Sequence, residues 1–190
     1  LALFVFYREE LCLEFVNVIL GLSLPQAGTI RVFDRHLGQL TEKEQLAVTQ
    51  RIGIVAARLG LVANLNVLEN LVLAANYHAI GSRPENLQKA QQLLEFFGYR
   101  ESPYSPVGRL SIYQQKQVCL SRALMLDPDL LIYTSLLDGL SSRESDKLLG
   151  RVLEAHHCKP GRASVFMTLD HAFVSRFPAQ TDVFSLQSEG

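Results

Sequence analysis

The 190-residue sequence is short of charge imbalance, of cysteine and of long apolar runs, and each shortage excludes a class of function. Lys and Arg number 18 against 19 Asp and Glu, a formal charge of −1. With a pI near 6.6, nothing points to nucleic acid or to a polybasic membrane patch, whose affinity comes from clustered cations. The three cysteines, Cys12, Cys119 and Cys158, stand far apart with no CxxC or Cys/His spacing. Neither a disulfide framework nor a zinc site is expected, and a reducing cytoplasm is the expected compartment. No apolar run approaches the roughly 18–20 residues that span a bilayer. The nearest, FVNVILGLSLP, is broken by Asn17, Gly21 and Pro25. No leader with a basic start is visible. The chain opens at Leu1, in what reads as a core strand, so residues are expected to precede it in the natural protein.

What is present is an ordinary globular composition, 48% apolar and 19% charged, in a length suited to one domain. Short apolar runs predict strands at Leu1–Tyr7, Thr29–Phe33, Ile52–Ala56, Leu130–Thr134, Ser164–Thr168 and Asp182–Leu186. Runs without alternation suit strands covered on both faces. Thr41 with Glu44, and Ser111 with Gln114, are capping-box patterns that open helices. Ser82 and Pro84 begin another helix, carried by Leu87, Ala90, Leu94 and Phe97 and stopped at Gly98. A last helix fits Ser142 to about His157. Strands thus alternate with helices, and a helix-rich insertion lies between about 67 and 107, which predicts an α/β sheet with a helical subdomain.

In order, several pieces resemble the ATP-binding cassettes of ABC transporters, a P-loop NTPase-like family. ILGLSLPQAGTIRVF is similar to the stretch after their phosphate-binding loop, and RIGIVAARLGLVANLNVLENL to their Q-loop region. LSIYQQKQVCLSRALMLDPDLLIY resembles the signature helix running into the Walker B strand. SVFMTLDHAFV and TDVFSLQSEG resemble the H-loop and last strands. The resemblance implies the ABC-ATPase fold over nearly the whole chain, with the family's usual first strands lying before Leu1.

It also assigns the chemical positions one by one. The Walker A loop falls on Phe6–Glu14, where glycine N–H groups, a Lys and a Ser/Thr would hold phosphate and Mg²⁺. Cys12 stands at the lysine, Leu13 at the metal hydroxyl and Glu14 beyond it, with no glycine left. Glu9, Glu10 and Glu14 place negative charge where an anion would sit. Each pair of like charges about 5 Å apart costs about 3 kcal/mol at an effective dielectric near 20. Walker B needs an Asp for Mg²⁺ and a Glu beside it to polarise water; those positions are Thr134 and Ser135, and no hydroxyl replaces either. The D-loop position is Ser141, the Q-loop position Ala57 and the H-loop position Leu169, with His171 two residues late. The signature positions Ser111, Ile112, Tyr113 and Gln114 retain the cap but put side chains where glycines would admit a phosphate. Asp138 is expected in the exposed turn before Gly139. His156, His157 and Cys158 read as a solvated helix end, Cys119 as core, and Ser102-Pro103 and Ser105-Pro106 as an ordinary loop.

The expectation is a catalytically inactive cassette-like subunit with no cofactor and no metal. By resemblance, its partners would be a membrane permease, an ATPase subunit in a homo- or heterodimer, or both, at the cytoplasmic face of a membrane. The docking surface would lie in Ala57–Asn70 and the helical insertion. The alternative is an ATP-binding subunit holding ATP and Mg²⁺ in a degenerate site of a heterodimer that hydrolyses at its other site. Reuse of the fold as a scaffold in a soluble complex is a third reading.

Overall fold

The computed structural model describes residues 1–56 and 60–186. The chain runs β1 (Ala2–Phe6), α1 (Glu9–Ile19), β2 (Arg31–Val32), β3 (Arg35–His36), α2 (Glu42–Thr49), β4 (Ile52–Val55), α3 (Val67–Tyr77), α4 (Arg83–Phe96), α5 (Ile112–Ala123), β5 (Leu130–Thr134), α6 (Ser142–His157), β6 (Ala163–Thr168) and β7 (Asp182–Leu186), with three short 3₁₀ segments between them. Five strands form one sheet in the order β4-β5-β6-β1-β7. Every pairing in it is parallel.

The continuous apolar run of β5 has a direct cause. All five of its residues are buried, and alternate ones enter different cores. Leu131 and Tyr133 pack with Val5, Phe166, Cys119 and Leu148 on one face, beneath α5 and α6. Leu130 and Ile132 pack with Phe6, Cys12, Val16 and Met167 on the other, beneath α1. A third cluster joins α3, α4 and Val118 of α5. Gly53 lets β4 approach the end of α5, since a Cβ there would lie 2.7 Å from the Ala123 carbonyl.

Five helices open on a capping box: Thr41/Glu44, Asn66/Glu69, Ser82/Glu85, Ser111/Gln114 and Ser141/Glu144. Each satisfies two N–H groups that a helix start leaves without partners. Gly98 follows α4 at φ +75°, the left-handed stop its sequence position predicts.

The expected strand Thr29–Phe33 is corrected. Only Arg31–Val32 is extended, and it pairs antiparallel with β3 in a separate two-stranded sheet. Phe33 and Asp34 hold φ of +49° and +62°, the pair of left-handed residues that turns a tight hairpin. The chain therefore reverses before the apolar run can reach the main sheet.

Candidate functional site

The carboxyl ends of β1, β5 and β6 form one edge, as the register of Val5 with Thr168 and Thr134 with Met167 requires. Open parallel sheets bind ligands at such an edge. At β1 the connection to α1 is two residues, Tyr7 and Arg8. The helix then starts at Glu9, three residues ahead of Cys12. Arg8 is the N-cap and makes no side-chain cap, while Glu9 and Glu10 occupy the first turn. The partial positive charge of this helix start is met by the chain's own carboxylates. Cys12 is buried, its Sγ 3.6 Å from Met167 Sδ, and burial followed by the charge of Glu9 pushes its thiol up to about 11. Leu13 is half exposed and Glu14 is exposed.

At β5, Thr134 is buried. Ser135 turns left-handed at φ +51°, donates its N–H to the Met167 carbonyl at 3.1 Å and accepts from Lys116 Nζ at 2.9 Å. Lys116 is a residue that the motif positions do not include. It is only 4% exposed, so a buried ammonium lies at the end of the strand where the resemblance places two acids. Burial lowers its pKa, against the pull of Asp138 and then Cys119. A signal for it exists in the sequence: Lys116 lies three residues before Cys119 and four before Leu120, on one helix face. Asp138 is exposed, in the turn before Gly139, as its position suggests.

Ser111 accepts from the Gln114 N–H at 3.3 Å and Gln114 Oε1 accepts from the Ser111 N–H at 2.9 Å. Ile112 projects from the first turn, 51% exposed, and its Cδ1 lies 3.4 Å from where a Cβ on Gly139 would stand. Tyr113 leans into the core beside α6; burial, then Glu144, raises its phenol. Ser141 caps α6 through Glu144. Leu169 is half exposed. His171 opens the 3₁₀ segment His171–Arg176, with its ring 5.4 Å from that of Tyr7. Ala57 lies outside the described residues.

The edge thus gathers Tyr7, Thr134, Ser135, Lys116, Ile112 and Leu169. Among the described residues no group of His, Cys, Asp and Glu could hold a metal ion, and no helix is long and apolar enough to cross a membrane.

One expectation on the opposite edge is corrected. His156 is half-buried rather than solvated, its Nδ1 3.0 Å from Ser164 Oγ, because α6 returns its end onto β6. Burial first, then nearby positive charge including Arg162, lowers its pKa below 6.5. A depressed folded value favours the neutral ring, so its stabilisation is present above about pH 6.5 and is lost as pH falls through the folded pKa. Urea unfolding between pH 7.5 and 5 is expected to show falling stability that His156→Gln flattens. An unchanged slope in that variant would assign the acid sensitivity elsewhere.

In the helical insertion, Asn70 is fully buried. It accepts from the Val62 N–H at 2.8 Å and donates to the carbonyls of Val62, Leu65 and Asn66. It pins the segment after the Q-loop region to α3, whose Leu73 and Tyr77 are exposed one turn apart.

A family model described as "ABC transporter" matches residues 14–134. The arabinose import ATP-binding protein AraG 2 of Burkholderia thailandensis is 33% identical over 155 residues, covering 80% of this chain and 29% of that protein. The methionine import ATP-binding protein MetN 1 of Enterococcus faecalis is 29% identical over 138 residues, 73% of this chain and 37% of its own length. The chain therefore spans about a third of these relatives. Among solved structures, the ATP-binding cassette MJ0796, as a dimer in a post-hydrolysis state bound to ADP and Pi, superposes with a TM-score of 0.82. Identity there is 21%, with 98% of this chain and 83% of that one covered; the likeness establishes the fold.

Proposed function

The chain belongs to the ABC transporter family, with the α/β fold of its ATP-binding cassettes, and from that premise we propose that it is a catalytically inactive cassette subunit. It braces or regulates a transport complex at the cytoplasmic face of a membrane, docked on a permease and paired with a second cassette, as MJ0796 is dimeric.

The observation that carries this reading is the β1–α1 connection. Two residues and a helix turn led by Glu9 and Glu10 leave no glycine loop whose N–H groups could wrap a phosphate. A nucleotide would meet carboxylates where it needs donors and a cation. The neutral side chains of Thr134 and Ser135 add no base and no metal ligand of the required charge. Losses of this kind each cost orders of magnitude in rate, and here they coincide. The side of the insertion bearing Leu73 and Tyr77, both exposed, is the surface offered to the permease.

Thermal unfolding with and without Mg²⁺-ATP tests the reading. A ligand at 100 times its Kd adds about 2.7 kcal/mol. The expected result is an unchanged midpoint at millimolar nucleotide, with hydrolysis at buffer background. A clear rise would restore the alternative, a degenerate site that still holds ATP in a heterodimer.

A further inference from the structure

Ser135 holds an uncommon backbone. It is a non-glycine residue at φ +51°, a conformation that persists only where the surroundings enforce it and that gathers at functional sites. Two elements enforce it from opposite sides. Its N–H donates to the Met167 carbonyl of β6 at 3.1 Å, and its carbonyl accepts from Lys116 Nζ of α5 at 2.9 Å. The same carbonyl accepts from the Asp138 N–H at 3.3 Å, which closes the turn.

A second tie joins the same two pieces. Ile112, one turn before Lys116 on the same face of α5, lies over Gly139, its Cδ1 and Cγ2 3.4 and 3.6 Å from where a Cβ would stand. The start of α5 is therefore fastened to both ends of the turn, at Ser135 and at Gly139.

One of the fastenings is a cation, where the resemblance places acids that hold a metal. A divalent ion needs oxygen ligands, carboxylates among them. The residues at the end of β5 are the neutral Thr134 and Ser135, and the buried Lys116 ammonium would repel the ion. The metal and this edge do not fit. Burial works against the charge of Lys116, and Asp138, exposed in the same turn, works for it.

We propose that Lys116 is a built-in latch, which takes a metal's place at the end of β5 and locks the start of α5 to the Ser135–Gly139 turn with or without nucleotide. The proposal rests on the inactive reading and deepens it, since a brace keeps one shape throughout. Lys116 is a positioning residue that acts through the backbone of Ser135.

Amide hydrogen exchange in the wild-type chain and in Lys116→Met, with and without Mg²⁺-ATP, tests it. Met keeps an apolar stem and removes the donor. Exchange across residues 135–140 and the first turn of α5 is expected to quicken at least about tenfold, the usual weight of a hydrogen bond from a charged donor, with a smaller change or none in β1 and β6. Lys116→Arg is expected to restore much of the protection, because a guanidinium still donates. Asp138→Asn, on an exposed residue, keeps the test in force where the Met variant does not fold, and is expected to loosen the same amides to a lesser degree. Mg²⁺-ATP is expected to alter none of these rates. No change in the turn with any variant shows that the buried Leu136 holds it by packing, and overturns the latch while leaving the inactive reading standing. Quickening shared equally by the whole sheet assigns Lys116 to the core and overturns the latch in the same way. Slowing of the turn by Mg²⁺-ATP in the wild-type chain overturns both.

Discussion

Replacing Asn70 with Ala is expected to lower stability by about 3 kcal/mol, because one side chain serves four backbone groups at once. Its amide accepts from the Val62 N–H and donates to three carbonyls, all between 2.8 and 3.2 Å. The residue is fully buried, so the truncated site is poorly placed to admit enough water to replace those bonds. The Val62 and Asn66 carbonyls keep the backbone N–H groups of Leu65 and Asn70, so truncation orphans chiefly the Val62 N–H and the Leu65 carbonyl at about 1–3 kcal/mol each, and their partial exposure holds the sum toward the lower end. Asn70→Asp is expected to be worse than Ala. A carboxylate keeps the acceptor for Val62 but faces three carbonyl oxygens with no donor to offer. Urea unfolding measures both, and hydrogen exchange across residues 60–66 is expected to show the first protection lost. A loss under about 0.5 kcal/mol for the Ala variant would mean that the segment is held by its packing, not by this amide.

The second large loss is expected from Phe166→Ala, at about 3–5 kcal/mol. Phe166 is fully buried in the middle of the sheet, in register with Tyr133 on one side and Leu3 on the other. Its ring stacks on Tyr133 at 4.6 Å and meets Phe177 edge-on at 4.6 Å. Ala would leave a ring-sized void bounded by β1, β5 and the 3₁₀ segment after β6, elements too constrained to collapse into it. For a domain of this size the unfolding midpoint is expected to fall by roughly 10 °C. Phe166→Leu is expected to recover much of the loss. Equal losses for Ala and Leu would point to ring stacking, rather than volume, as the source.

The two predictions differ in how visible their residues are in the sequence. Phe166 belongs to SVFMT, an apolar run bounded by polar residues, and the expected strand there begins one residue from the observed start. Asn70 sits in a helix whose apolar face can be read from Val67, Leu71 and Leu68, but nothing in VLENLV marks the Asn as buried. A polar residue on an apolar face gains its meaning from the loop folded over it. Lys116 is legible only in part: in QQKQ it is one polar residue among four, and its one signal is the helix face it shares with Cys119 and Leu120. The hairpin at Phe33-Asp34 is hidden for a related reason: its apolar run implies a strand, while two left-handed residues turn the chain back.

At the positions that the resemblance assigns to the site, the identity of each residue is legible from the amino acids themselves. No arrangement of the chain turns Cys12 into a cation or Thr134 into a carboxylate. The length of the β1–α1 connection is not legible, because Glu9, Glu10 and Leu11 are compatible with either loop or helix. They become helix because Cys12, Val16 and Ile19 then align on one face against Phe6, Ile132 and Met167.

The sequence alone determined the family, the alternation of strands and helices, the capping boxes at Thr41/Glu44 and Ser111/Gln114 and the residue types at the positions the resemblance assigns to the site. These signals lie within a few residues of one another, where helix and strand periods and capping geometry operate. Tertiary structure alone decided that Lys116 reaches Ser135, that His156 meets Ser164, and that Tyr7, Ile112 and Leu169 share an edge. The reason is topological: the order β4-β5-β6-β1-β7 places β1 beside strands more than 150 residues later. The burial that makes that order favourable belongs to the assembled sheet and to no single segment.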